Sequence, residues 1–196
     1  MYIIKVFWDG IMIFDALFNW FKSKTNISVA KSLYTHAVRA SRQEIFFLKY
    51  GVADSVDGRF DLISLHVFLI QKRLLAIGND TRELSQEIAN IMWTDMDDGI
   101  REIGVGDLSV PKHLKRMIGA FQGRVRAYSD AIEESEDALA YALWRNVYRE
   151  EEDKRGHSKQ LAAYANTILT TLMETQADRV MNGEINLPSA RSHTET

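Results

Sequence analysis

Residues 57–78, DGRFDLISLHVFLIQKRLLAIG, constrain the fold of this chain more than any other stretch. Leu62, Ile63, Leu65, Val67, Phe68, Leu69, Ile70, Leu74, Leu75 and Ile77 cannot share one face of a helix. A helix that is apolar on every side must be enclosed by other helices or by lipid. Arg59 and Asp61 at one end, and Lys72 and Arg73 at the other, bracket a run too short to cross a bilayer. The stretch is therefore expected to be the central helix of a soluble bundle, opened by an Asp57-Gly58 turn, with His66 midway along it.

The remaining chain supplies helices to cover it, and its only two prolines, Pro111 and Pro188, leave long helices unbroken. Ser28 reads as the N-cap of a helix with Val29, Leu33, His36, Ala37 and Ala40 on one face. Ser41 with Glu44 has the capping-box pattern and opens a short helix through Phe46 and Leu48, closed by Gly51. Asp80 with Glu83 is a second such pair, before a helix that turns Leu84, Ile88, Ile91, Met92 and Met96 inward and carries WTDMDDGIRE. A loop, IGVGDLSV, leads to Pro111 in the first turn of the next helix. Leu114, Met117, Ile118, Phe121, Val125, Tyr128 and Ile132 give that helix the cleanest helical period in the chain. Ser135 caps another helix, and a last one is expected from Ser158 to Asn182, ending at Gly183.

No stretch alternates as a half-buried strand does, so the expected class is all-α. The division read here is one compact multi-helix domain over 27–183, an aromatic N-terminal segment over 1–26 and a mobile tail over 184–196. Residues 2–21 are apolar and aromatic, but Lys5, Asp9 and Asp15 would each cost roughly 2.5–3.5 kcal/mol at the centre of a spanning helix. An amphipathic helix at a membrane surface and a helix docked on the bundle both fit them, and periodicity does not separate the two.

The absence of cysteine excludes disulfides, thiol catalysis and Cys-ligated zinc. A formal net charge of −3 gives no general pull toward nucleic acid. The start of the chain lacks the features of a signal or transit peptide, which leads to an expected bacterial cytoplasmic location, with peripheral contact to the inner membrane open. GVGDLS lacks both a preceding strand and the third glycine of a dinucleotide fingerprint. The five histidines include no i, i+4 pair of the kind a local metal site uses.

Three groups of residues remain as candidates. His66 needs a hydrogen-bond partner in its apolar helix, and a carboxylate such as Asp95 is the expected one. No accompanying nucleophile supports a catalytic role for it, so it reads as a structural polar residue. Asp95, Asp97, Asp98 and Glu102 are clustered carboxylates of a type that binds Mg²⁺ or Ca²⁺. Arg101, at ion-pair spacing from Asp97 and Asp98, makes a polar knot the alternative reading. Between Leu108 and Ser129 there is no acid, while Lys112, Lys115, Arg116, Arg124 and Arg126 form a basic segment. Such a face suits an anionic bilayer, at about 1 kcal/mol per charge, or RNA phosphates. It also suits plain solvation.

Three blocks of the sequence carry a resemblance. They are YGVADSVDGRFDLISLHVFLIQKRL, then DMDDGIREIGVGDLSVPKHLKRMIGAFQGRVRAY, then ALWRNVY. Over roughly residues 30–150 this ordered set resembles the ubiquinol–cytochrome c chaperone family, whose mitochondrial members help assemble cytochrome b into respiratory complex III. The matching positions include Asp54, Asp57, Gly58, Arg59, Phe60 and Asp61, then Asp95, Met96, Asp97, Arg101, Glu102, Gly104, Gly106 and Asp107. Pro111, Phe121, Gly123, Arg124, Tyr128 and Asn146 continue the pattern, whereas Ala53 stands where a loop proline is expected.

The resemblance implies a non-enzymatic assembly factor without a cofactor, holding cytochrome b or another membrane-protein client. It leaves room for a small partner protein and for peripheral membrane or ribosome contact, and gives no role with DNA. The client groove is expected where Asp54, Asp57, Arg59, Phe60 and Asp61 meet Asp95, Asp97, Arg101, Glu102 and Asp107. Two other functions stay open: a helical metal-dependent enzyme using His66 and Asp95, and a membrane- or RNA-surface module using Lys112, Lys115, Arg116, Arg124 and Arg126.

Overall fold

The computed structural model describes residues 26–191, so the segment expected over 1–26 lies outside the described residues except for Asn26. The described chain is helical, with no strand. Its elements are α1 (26–41), α2 (Ile45–Leu48), α3 (Val56–Ile77), α4 (Arg82–Glu102), α5 (Val110–Glu134), α6 (Glu136–Asn146), α7 (Arg155–Glu174) and α8 (Ala177–Met181).

α3 is the central helix. Every residue from Phe60 to Ile70 is buried, with α7, α4 and α5 packed around it. Burial of a single Leu, Ile or Phe side chain stabilises by about 1.5–3 kcal/mol, so a helix with this sequence has no stable place at the surface. The helix starts earlier than an Asp57-Gly58 turn would allow. Ser55 is extended (φ −139°, ψ 167°) and its hydroxyl accepts from the Gly58 amide at 3.1 Å, capping a first turn that contains both residues. Glycine is required at 58 for closeness rather than for turning, because a Cβ there would stand 2.0 Å from the Ala53 carbonyl oxygen.

The joints between helices depart from the expected caps. Thr81, not an Asp80–Glu83 box, closes the α3–α4 corner, its hydroxyl donating to the carbonyls of Leu74 (2.7 Å) and Gly78 (2.8 Å). Ser41 donates to the Val38 carbonyl, and α2 begins without a side-chain cap. The last helix is two helices: Thr175 and Gln176 have extended ψ values of 129° and 140°, and Arg73 donates to the Thr175 carbonyl at 2.8 Å. Residues 184–191 do not trail. Ile185 and Ala190 are buried, the Tyr50 hydroxyl donates to the Arg191 carbonyl, and the Gln43 side chain receives the Ala190 amide.

Candidate functional site

His66 is buried beside an aromatic group, with the Phe46 and Tyr164 rings edge-on to each other at 5.1 Å. Its Nδ1 lies 2.8 Å from the Leu62 carbonyl and its Nε2 lies 2.8 Å from the Tyr164 hydroxyl. A carbonyl only accepts, so Nδ1 carries the proton and Nε2 accepts from Tyr164. Burial lowers the imidazole pKa to about 4 and keeps it neutral. The expected Asp95 partner is therefore replaced by a tyrosine. Asp95 accepts instead from the Tyr34 hydroxyl at 2.7 Å, and burial followed by that bond pushes the Tyr34 phenol up.

The entry of α3 carries the strongest electrostatic feature. Asp61 has no exposed side-chain surface, and its two oxygens accept from Arg124 Nη2 at 2.6 Å and Arg149 Nη2 at 2.8 Å. Burial pushes this carboxyl above its ordinary range, while the two guanidinium groups pull against that shift. Arg124 also donates to the Ala120 carbonyl and lies over the Phe60 ring, 5.6 Å from its centroid. Arg149 comes from the turn after α6, where it and Glu150 take left-handed backbone angles (φ 54° and 65°). Each such residue costs about 1–2 kcal/mol. Hydrogen bonds from the Glu150 amide to Trp144 and from the Trp144 indole to Glu151 hold the turn, and Arg155 stacks 3.8 Å above the Trp144 ring. The result is a guanidinium thrown back onto α3, where it also donates to the Asn146 carbonyl.

Above this ion pair lies a cleft between the start of α3, the end of α4 and the first half of α5. It consists of two adjoining cavities of about 620 and about 260 Å³. Val56, Phe60, Ile100, Ile103 and Met117 line both. Val56 and Ile103 are 54% and 61% exposed, and Leu108 in the neighbouring loop is fully exposed. Large apolar side chains gathered at the mouth of a concave apolar surface mark a place where another molecule binds.

The structure brings together part of the expected site. Arg59, Phe60, Asp95 and Glu102 line the smaller cavity; Asp57, Phe60, Arg116 and Arg124 line the larger. Asp61 lies beneath the surface as the counter-ion of Arg124 and Arg149, so it is not itself open to a client. Asp54 is half-exposed and paired with Arg59 at 2.8 Å. Arg101 holds Asp97 at 2.7 Å and Asp107 at 2.6 Å, pinning the loop after α4, and none of the three lines either cavity. Lys112, Lys115, Arg116 and Arg126 are exposed as a basic face requires, but Arg124 turns inward. Its spacing shows why: it lies three residues after Phe121 and four before Tyr128, on the apolar stripe. Sequence reasoning missed Ile100, Ile103, Met117, Arg145 and Arg149 as lining residues. Among the described residues no group of three or more His, Asp or Glu could hold a metal ion, and His66 and Asp95 serve separate partners.

Fold and site together define a helical domain with a preformed apolar cleft and a cationic end. The family model described as ubiquinol-cytochrome C chaperone matches residues 48–187, and the chain belongs to that family. The chain is 35% identical to the Cbp3 homolog from Brucella abortus, whose crystal structure superposes with a TM-score of 0.78 over 89% of this chain and 96% of that one. Ubiquinol-cytochrome c reductase complex assembly factor 1 of Homo sapiens is 26% identical over 165 residues, 83% of this chain and 55% of the human protein. The Xenopus laevis protein, described likewise, is 24% identical over 165 residues, covering 83% of this chain and 82% of its own length. The chain thus spans about half the length of the human relative.

Proposed function

We propose that this chain is a non-enzymatic assembly chaperone of the ubiquinol–cytochrome c reductase (bc1) complex, and that its client is cytochrome b, held by an apolar segment in the cleft. Family membership supports the assembly role, and the cleft carries the client reading. Its floor of Phe60, Ile100 and Met117, with Ile103 and Val56 open at the mouth, offers an apolar segment more burial than water does. Exposed Lys112, Lys115 and Arg116 stand on the same stretch of α5, and attraction of about 1 kcal/mol each to anionic lipid supports work at the cytoplasmic face of the inner membrane.

The test is complementation of a deletion strain. Ile103→Asp should lower the amount of assembled bc1 complex at unchanged chaperone level. Leu75→Asp, an equally exposed apolar site at the far end of α3, should complement fully. Full complementation by both variants would rule the cleft out as the client site.

A further inference from the structure

The cleft is electrically lopsided. Its smaller cavity sets Arg42 and Arg59 against Asp95 and Glu102, with Asp54 paired to Arg59 behind them, so acids are in slight excess there. The larger cavity is lined by Arg116, Arg124, Arg145 and Arg149, with Asp57 as its acid. Behind them, Asp61 serves Arg124 and Arg149, and Glu150 lies 3.3 Å from Arg145. Four guanidinium groups thus face three carboxylates, leaving one positive charge in excess. Arg116 forms no ion pair among the described residues and only meets His113 Nδ1, at 3.3 Å. Arg124 Nε is enclosed and has no hydrogen-bond acceptor.

We infer that this arginine end selects a client segment that is apolar along most of its length and carries a carboxylate at one end. The inference rests on the cleft being the client site. Guanidinium groups present planar, paired donors that match a carboxylate, and all four cations at this end are arginines rather than lysines. The excess of one charge matches a single carboxylate better than a phosphate dianion. The arginine end and the Phe60 and Met117 floor line one cavity, so a single ligand can present its charge and its apolar stretch to both. A carboxylate flanking an apolar segment is costly to leave away from water without a partner, and this end supplies one already oriented.

The test uses the purified 196-residue chain and three C-terminally amidated fluorescent peptides with the same leucine-rich segment, whose last side chain is glutamate, glutamine or phosphoserine. The glutamate peptide should bind about tenfold tighter than its glutamine twin, the difference expected for a hydrogen bond to a charged group. Arg116→Gln with Arg145→Gln, both at exposed positions, should bring the glutamate and glutamine peptides to equal affinity with the melting temperature unchanged. Equal binding of the glutamate and glutamine peptides to the unaltered protein, or tighter binding of the phosphoserine peptide, would overturn the inference and leave the apolar cleft intact. Failure of all three to bind in an Ile103-dependent way would overturn both the inference and the client reading.

Discussion

Replacing Asp61 by Asn keeps the shape at the foot of the cleft and removes a fully buried charge. In the native protein the carboxylate neutralises Arg124, whose side chain is 11% exposed, and Arg149, which is 46% exposed. Removing one partner of a buried ion pair costs about 3–5 kcal/mol, because the other charge is left uncompensated. Arg149 can turn to water and contribute little, so the cost comes from Arg124, and the lower end of the range, about 3 kcal/mol, is expected. Against a domain stability of roughly 5–15 kcal/mol that is a large loss. Urea unfolding followed by circular dichroism should show a lower midpoint at unchanged slope. Arg149→Gln should cost less than Asp61→Asn, and the Asp61→Asn, Arg124→Gln double variant should lose less than the sum of its singles. An Asp61→Asn protein within about 0.5 kcal/mol of the parent would refute the reasoning, since a surface substitution does no more than that.

Gly58→Ala should lower the melting temperature although alanine is the better helix former by about 1 kcal/mol, because the new Cβ meets the Ala53 carbonyl and such overpacking costs roughly 1–3 kcal/mol. A raised melting temperature would show that the loop before α3 yields freely. His66 titrates near 6.5 when unfolded and at about 4 when folded. Between those values the unfolded chain takes up a proton that the folded chain refuses, so falling pH removes about 3 kcal/mol of stability. The loss is complete near pH 4, and His66→Gln should flatten that part of the profile; an unchanged slope would assign it to other groups. Arg101→Gln should leave global unfolding unaltered and speed amide exchange from Ile103 to Ser109, the loop that its bond to Asp107 pins. Unchanged exchange there would mean that the bond does not order the loop.

What was legible in the chain followed from local periodicity. The apolar surround of Leu62–Ile70 required a central helix, and the Leu114–Ile132 stripe required α5. Arg124 was assigned to the exposed basic face, although its phase on that stripe turns it inward onto Asp61. Gly58 misled, since Asp-Gly is a turn signal and the close approach of Ala53 becomes visible only in three dimensions. The capping boxes at Ser41 and Asp80 failed for a related reason: Val38, Leu74 and Gly78 offered carbonyls that the hydroxyls of Ser41 and Thr81 took instead. The break at Thr175 carries no glycine or proline to announce it. Arg149 had no local sign, because it meets Asp61 across 88 positions through a turn of two non-glycine residues with positive φ. Consequently the α3 side of the cleft was readable in the sequence, whereas Arg145 and Arg149 at its arginine end were not.

The proposed function places cytochrome b in the cleft at the start of α3 while the bc1 complex is built. A photoreactive side chain at Ile103, activated in the native host and followed by mass spectrometry of the trapped product, tests it most directly. Cytochrome b should be captured from position 103 and not from Leu75 at the opposite end of α3. Capture of other proteins without cytochrome b, or equal capture from both positions, would contradict it.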